Sequence, residues 1–521
     1  MSTPEERTDT NRKAGDKIYT IPKLAKKLRR IKDEGLKVVL CHGVFDLMHL
    51  GHIRHFGEAS ELGDVLVVTV TPDQYVNKGL HRPVFSQLQR AETIAALGVV
   101  DYVAVNDWAT AVETIETLKP NVFCKGGEFD KSQALPSGLQ AELEAVASVG
   151  GRVEFTSENL SSSSSLINDY LEVFPHDTNQ WLRDFRNIFE IEQVTGFVER
   201  TKDLKVLVIG EAIIDEYVFC DALGKSSKDP ILASLYRSTE TYAGGSLAVA
   251  NHLAGFCDKV GLISVIGDME RREEFVFDAL FKNVMPSFVT RSGSPTICKR
   301  RFVDAYTNNR IFELYTMDDD PLPESCEQAI KEKIVPVLSE YDLVIAVDYG
   351  HGMLTSATVD LLCKTAPFLV VSTQANAGNR GFNTISKYSR ADYVVMNMHE
   401  VALETRMRHA DWRDLVLEVT KRIDCGRFTI TRGDRGSLHY TTGADFTEAP
   451  SMAVNVKDRV GASDAVLALT SLFVFQNAPW EIVGFVGNVA GAQVVAELGN
   501  GVRVDKESLM RNVKSLMKRS I

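Results

Sequence analysis

The run Val38-Val39-Leu40-Cys41-His42-Gly43-Val44-Phe45-Asp46-Leu47-Met48-His49-Leu50-Gly51-His52 constrains the fold of this chain more than any other stretch. Its first residues are apolar without alternation, which suits a parallel strand buried on both faces. Residues 53–62 carry helical patterning and stop at Gly63, where a helix C-cap is expected. The segment between them is the turn from strand to helix, where α/β folds bind phosphates. His49 and His52 share one face of the helix start, so both imidazoles can converge on one anion. Such a pair beside free backbone amides suits a reaction in which charge builds on a triphosphate. Two histidines on a helix are otherwise ordinary surface residues; here the preceding strand, Gly43 and Gly51 favour a site.

At 521 residues the chain exceeds one ordinary domain and calls for two or three. Strand-like runs at 38–41, 65–70, 102–105 and 122–124 alternate with helical stretches such as 87–97 and 109–118. That is the pattern of a parallel sheet with crossover helices. The reading is a disordered tail over 1–16, a first domain over 17–172, a connecting helix or linker over 173–203, and a second domain over 204–521. Trp181, Phe185 and Phe189 recur at helical spacing in the connector, as expected of a helix packed between domains. With 70 acidic against 58 basic residues the net charge is −12, which argues against nucleic acid or an anionic membrane as partner. The longest apolar run, 465–475, is too short to span a bilayer, and the start of the chain is polar rather than signal-like. Eight cysteines without paired spacing read as reduced thiols, so a cytoplasmic protein is expected.

Within the first domain several groups can meet a phosphate. Lys78-Gly79 and Arg82-Pro83 lie in a loop after a strand, Arg90 in the next helix, and Lys125-Gly126-Gly127 just past a strand end. A serine run over 161–165 includes Ser163 and Ser164. Singly, each reads as a solvated cation or as linker. In the second domain a buried strand over 204–210 precedes Asp215, and four β-rich runs (217–220, 231–242, 296–303 and 309–317) suggest a small side sheet, a lid. Gly244-Gly245 lets backbone approach a ligand closely. Parallel strands follow at 343–347, 368–371, 393–396 and 428–431. The chemistry of this half falls on Asp458-Arg459-Val460-Gly461-Ala462-Ser463-Asp464. Small residues at a helix start leave amides free for a transferring phosphoryl group, and Asp464 beside them can accept a hydroxyl proton.

Gly43-Val44-Phe45-Asp46 with His49-x-Gly51-His52 resembles the cytidylyltransferase-like nucleotidyltransferases, in the branch that acts on sugar or polyol phosphates. The resemblance implies attack of a substrate phosphate on the α-phosphorus of a nucleotide, with His49 and His52 catalytic. It also implies that Gly43, Val44, Phe45, Lys78, Arg90, Lys125, Gly126, Gly127, Ser163 and Ser164 hold that nucleotide. Residues 204–521 resemble the ribokinase-like carbohydrate kinases, whose motif is Asp-Thr-Thr-Gly-Ala-Gly-Asp. This implies Asp464 as catalytic base, with Thr431, Gly433, Gly436, Gly461, Ala462, Ser463 and Asn488 at the nucleotide. Asp215, Gly244, Gly245 and Lys299 then meet the sugar, and Asn397 and Glu400 act indirectly on Mg²⁺. Asp348-Tyr349 also has a counterpart in the heptose kinase branch. Arg459, Val460, Ser463, Ala248 and Ser372-Thr373-Gln374-Ala375 depart from that family's pattern, chiefly on the sugar side.

Together the halves resemble the bifunctional heptose-7-phosphate kinase / heptose-1-phosphate nucleotidyltransferases of lipopolysaccharide biosynthesis, with the two domains in reversed order. The implied fold class is α/β: two doubly wound domains, an N-terminal Rossmann-like nucleotidyltransferase and a C-terminal ribokinase-like domain with a β-sheet lid. The implied function is ATP- and Mg²⁺-dependent phosphorylation of a sugar at its anomeric hydroxyl. Nucleotidyl transfer from ATP or CTP then gives a nucleotide-sugar and pyrophosphate. The resemblance also implies a homo-oligomer paired through the lid. One alternative keeps both enzymes and has CTP activate another sugar or polyol phosphate; a second makes the C-terminal half a non-catalytic sugar-binding, regulatory or assembly module.

Overall fold

A computed structural model of the chain describes residues 13–126, 137–156, 173–270 and 272–518. They fall into two compact units, one within Met1–Val173 and the other Phe174–Met517. No helix among the described residues is long and apolar enough to cross a membrane.

The first unit holds β1 (Ile18–Tyr19), β2 (Val38–Gly43), β3 (Val65–Val70), β4 (Tyr102–Val105), β5 (Val122–Lys125) and β6 (Arg152–Phe155). They form one parallel sheet in the order β1-β4-β3-β2-β5-β6. The unbroken apolar character of β2 follows from burial on both sides. Val39 and Cys41 pack into one core layer with Phe56 and Ile94, while Val38 and Leu40 pack into the other with Leu24 and Phe123. Burial of each such side chain contributes on the order of 1.5–3 kcal/mol. The helix after the motif spans Leu50–Ser60, starting three residues earlier than the patterning suggested, because the His49 side chain caps it. The tail expected to be disordered over 1–16 includes a described 3₁₀ turn, Ala14–Lys17. β1, of two residues, is too short to announce itself by pattern, and β6, Arg-Val-Glu-Phe at the sheet edge, mixes charge with apolar residues and has no buried side chain.

The second unit begins earlier than the β-strand at 205. Helices His176–Ile188 and Ile191–Arg200, expected as a connector, belong to this unit. The Phe185 ring lies 4.6 Å from that of Phe485, and the Trp181 indole donates to the Glu448 carbonyl at 3.1 Å. The aromatic residues of this segment therefore pack onto the second unit itself.

Next come β7 (Lys205–Gly210), β8 (Ala212–Lys225), β9 (Leu232–Gly245), β10 (Lys259–Met269), β11 (Val284–Pro295), β12 (Ile297–Asp304) and β13 (Arg310–Thr316). After them stand β14 (Leu343–Asp348), β15 (Leu369–Thr373), β16 (Tyr393–Asn397), β17 (Arg427–Thr431), β18 (Ser437–Thr441) and β19 (Thr447–Ala449). Nine of these form a sheet in the order β11-β10-β7-β14-β15-β16-β17-β18-β19, parallel through β17 and antiparallel at the last two pairings. The expected side sheet has four strands, β13-β12-β8-β9. β8 and β9 extend beyond the predicted runs because their ladder continues from Ala212–Gly245 to Lys225–Leu232.

Phe123 is fully buried in the middle of β5. Phe123→Ala is expected to cost about 3–5 kcal/mol through lost transfer energy and the cavity left behind. Denaturant unfolding followed by a probe in the first unit checks this; a loss under 1 kcal/mol would contradict the packing described.

Candidate functional site

In the first unit the motif is held by buried charge. Asp46 accepts backbone N–H bonds from Val84 (2.8 Å) and Phe85 (3.0 Å), and Arg82 lies 3.5 Å from its carboxylate. Arg82, which in sequence reads singly as a solvated loop cation, is instead 5% exposed and tied to the motif. Arg90, expected at the nucleotide, is fully buried. It donates to the carbonyls of Phe85 (2.9 Å), Val44 (2.5 Å) and Thr71 (2.8 Å) and to Asp73 (2.6 Å). Four bonds on one guanidinium fasten the motif turn to the loop after β3, so Arg90 positions the site from beneath.

Phe45 sits at φ +50°, and its ring packs over Gly43 and beside His52. A Cβ on Gly43 would meet that ring at 2.9 Å, which is why this position takes no side chain. His49 Nδ1 accepts the Gly51 N–H at 3.1 Å, fixing its ring at the helix start, and the His49 and His52 rings lie 4.0 Å apart. Burial, helped by the neighbouring imidazoles, pushes His52 down to about 3, and burial does the same to His42. His52 Nδ1 is buried without a hydrogen-bond partner among the described residues. His52 thus stands ready as a neutral imidazole beside the His49 ring. Lys78 is exposed in its loop and close enough to bias His52. Lys125, at the end of β5, pairs with Glu142 at 2.6 Å. Gly126 follows it at the strand end. Gly127, Ser163 and Ser164 lie outside the described residues.

In the second unit one cavity is lined by Asp215, Gly245, Lys299, Gly461, Ser463 and Asp464, together with Arg301, Arg310, Tyr349 and Arg459. Sequence positions more than 200 apart meet there because β8, β12 and the helix Ala462–Phe475 begin at one place. Asp215 and Lys299 are register partners on neighbouring strands, and Asp215 pairs with Arg301 at 2.5 Å. Lys299 lies over the Tyr315 and Tyr349 rings, and burial lowers its ammonium. A Cβ on Gly244 would strike the Asp215 carboxylate, and Gly245, at φ +59°, caps the helix Ser246–Ala254.

Gly461 caps the helix Ala462–Phe475 at φ +81°, and a Cβ there would fall 1.7 Å from Asn500 Oδ1. Asp464 lies in the first turn and accepts a hydrogen bond from the Tyr349 hydroxyl at 2.7 Å. Burial, reinforced by Asp215, raises Asp464 to about 7, against the pull of Tyr349 and Lys299. A second pocket brings Asp464 and Ser463 together with Asp348, Asn397, Glu400 and Thr431. Asn397 and Glu400 form a reciprocal cap: Asn397 Oδ1 accepts the Glu400 N–H, and Glu400 accepts the N–H groups of Asn397 (2.8 Å) and Ala375 (3.2 Å). Burial raises Glu400 to about 7. Gly433 and Gly436 shape the turn between β17 and β18, where a Cβ on Gly436 would meet the Ala449 carbonyl. Asn488 is buried and donates to the carbonyls of Ala449 and Pro450, so it braces that edge.

Sequence reasoning missed Glu211, fully buried, raised to about 7 by burial and by Asp348, and accepting the N–H groups of Tyr349 and His351. It also missed the Asp348–Lys387 pair at 2.5 Å, to which Tyr388 donates. A glutamate directly after the apolar strand Lys205–Gly210 was the available signal.

Residues 40–169 match the cytidylyltransferase-like family and residues 203–506 the pfkB family carbohydrate kinases. The chain is similar to "Bifunctional protein HldE" of Geobacter metallireducens, 37% identical over 161 residues, 30% of this chain and 32% of that protein. It is also similar to the protein of that name from Syntrophotalea carbinolica, 40% identical over 122 residues, 23% of this chain and 24% of that protein. The chain thus spans about a third or less of the length of these relatives. Escherichia coli phosphofructokinase-2 in complex with substrates and products aligns over 60% of this chain and 100% of its own, at 15% identity and TM-score 0.49. Because the carbohydrate-kinase match extends over more than half of the 521 residues, the chain belongs to the pfkB family of carbohydrate kinases, carrying a cytidylyltransferase-like domain ahead of the kinase domain.

Proposed function

We propose that the chain activates a sugar phosphate in two steps, the kinase domain acting first. The observation that carries this is the cavity in which Asp464 and the helix start at Gly461 face Asp215 and Lys299. Asp464 takes the proton of the anomeric hydroxyl; the sugar oxygen bonds to the γ-phosphorus of ATP, whose bond to the β-phosphate oxygen breaks to leave ADP. The amides at the helix start hold the charge of the moving phosphoryl group. Asp215 and Lys299 bind the sugar. Arg459, an exposed guanidinium on the cavity wall, suits a phosphorylated sugar over a neutral one. Asp348, Glu400 and Asp464 line one pocket, a carboxylate-rich wall that fits Mg²⁺. Both Glu400 oxygens already accept N–H bonds, and both Asp348 oxygens are held by Gly350, Asn383, Tyr388 and Lys387, so their contact with the ion is indirect. When bound, Mg²⁺ neutralises charge on the nucleotide phosphates.

In the first unit the sugar 1-phosphate oxygen attacks the α-phosphorus of ATP or CTP, and pyrophosphate leaves. His49 and His52 donate hydrogen bonds to the phosphates, and Lys78 and Lys125 approach from the flanking loops. Heptose 7-phosphate is the sugar implied by the resemblance of the two halves to the bifunctional heptose kinase/nucleotidyltransferases. The eight cysteines are free thiols, consistent with a reducing cytoplasm. Residues Leu232, Leu235, Tyr236 and Phe312 leave apolar surface exposed on the side sheet, which supports a homodimer paired there. Light scattering at micromolar concentration should give twice the chain mass; a monomer would overturn the dimer.

A phosphorus NMR time course with Mg²⁺, ATP, CTP and heptose 7-phosphate tests the two steps. An anomeric phosphate should appear first, then a sugar-diphosphate signal with pyrophosphate. Asp464→Asn is expected to lower the first step about 10²–10⁴-fold; unchanged turnover would remove Asp464 as base, whereas no anomeric phosphate from the parent chain would leave the kinase domain as a non-catalytic sugar-binding module. Since Asp464 must be ionised and is raised to about 7, kinase kcat/KM should fall about tenfold per pH unit below that value and level off above it. A flat profile between pH 5.5 and 8, taken as an order-of-magnitude window around that value, would remove Asp464 as base. His52→Ala should slow pyrophosphate release about 10²–10³-fold with circular dichroism unchanged; retained release would sink the histidine assignment.

A further inference from the structure

Cys41, His55 and Cys124 are the one group of three metal-ligating side chains that converges among the described residues, their ligand atoms all within 4.8 Å of one another. None of the three has a part in the chemistry above. Cys41 and Cys124 are register partners on adjacent strands β2 and β5 and point into the same core layer. His55 comes from the helix Leu50–Ser60, one turn beyond His52. We propose that these three residues bind a thiophilic d¹⁰ cation, Zn²⁺ being the chemical type, as a Cys₂His site with its fourth position open.

Three features of the surroundings support it. With Zn–S about 2.3 Å and Zn–N about 2 Å, a tetrahedral ion needs ligand atoms about 3.5–4 Å apart, which small side-chain rotations reach from the present spacing. The Thr156 hydroxyl lies 3.0 Å from His55 Nδ1 and donates to the Lys125 carbonyl at 3.4 Å. It therefore accepts from Nδ1–H, leaving Nε2 as the lone-pair nitrogen, which is how ligating imidazoles are oriented from outside the metal shell. Lys125, the cation that acts on both Cys41 and His55, is paired with Glu142 at 2.6 Å, so its charge is offset.

Burial holds His55 neutral, down to about 4, while the Cys41 thiol is raised by burial and donates to Cys124. Binding replaces two S–H bonds by two metal–thiolate bonds and releases two protons per ion, leaving a site with no net charge. Two buried thiols in a core are otherwise simply small hydrophobes, and the imidazole between them is what separates the two readings. Such an ion would fasten β2, β5 and the motif helix at one point.

The test uses the full chain, stripped with chelator under reducing conditions and titrated with Zn²⁺ and with Co²⁺. The expected result is one equivalent bound by elemental analysis, a thiolate-to-cobalt charge-transfer band and a raised thermal midpoint. Cys124→Ser and His55→Gln should each weaken binding at least tenfold, while Cys257→Ser, a buried thiol in the other unit, binds as the parent does. The charge-transfer band separates this site from chelation by His49 and His52, which carry no sulfur. If Cys124→Ser does not fold by circular dichroism, His55→Gln on its partly exposed helix face carries the test. Less than a tenth of an equivalent bound, a band indifferent to these substitutions, or uptake abolished because a Cys41–Cys124 disulfide resists reduction would each overturn the proposal.

Discussion

Both halves of this molecule depend on parallel strands buried on both faces. Once helices cover each side of a sheet, polar chemistry is excluded from the strand bodies and collects where the strands end. In the first unit β2 runs Val38 to Cys41 without exposed surface, and the polar residues begin at His42. In the second unit β14 is buried from Leu343 to Asp348, and its last residue is the carboxylate that pairs with Lys387. The same constraint produces both sites, although their chemistries differ.

Burial also sets the protonation that each site presents. Desolvation disfavours the charged form of any group, so it moves acids and bases in opposite directions. It carries His52 down to about 3 and Asp464 up to about 7. A neutral His52 sits beside the His49 ring without charge repulsion and keeps an N–H to offer a phosphate. A carboxylate held near 7 is a stronger base than an ordinary aspartate at the pH where cells operate. Burial at the two helix starts is the largest cause of both shifts, with the neighbouring imidazoles adding to the first and Asp215 to the second.

The sheets, the side sheet and the motif turns were legible because they rest on local pattern: apolar runs, glycine, and histidines at helical spacing. The supports were not. Arg90 reads in sequence as a solvated cation, and nothing nearby indicates that its acceptors come from residues 44, 71, 73 and 85. Asn488 reads as a ligand-facing amide, yet its donors go to two backbone carbonyls at 449 and 450. The aromatic spacing at 181, 185 and 189 correctly marked a helix, but periodicity specifies a buried face and not which body covers it. β10 and β11 were missed because glycine and terminal charge break up the apolar run of Lys259–Met269, and proline, serine and Arg291 that of Val284–Pro295.

The departures from the kinase motif at 459–463 can be ranked by what each side chain meets. At Gly461 a Cβ would fall 1.7 Å from Asn500 Oδ1, and Asn500 donates in turn to Asp215 at 3.3 Å. Any residue but glycine there would push on the sugar side of the cavity as well as on the backbone at φ +81°. Ser463, by contrast, is exposed on the cavity wall in the first helical turn, with room for its hydroxyl. Its backbone N–H remains one of the unsatisfied amides of the helix start whatever the side chain is. Val460 precedes the cap and has its own N–H held by Asp458 at 3.1 Å, while Asp458 is fixed by Tyr217 and Arg310. The one position where geometry forbids a side chain has kept its glycine, and the substitutions stand where the backbone does not depend on them.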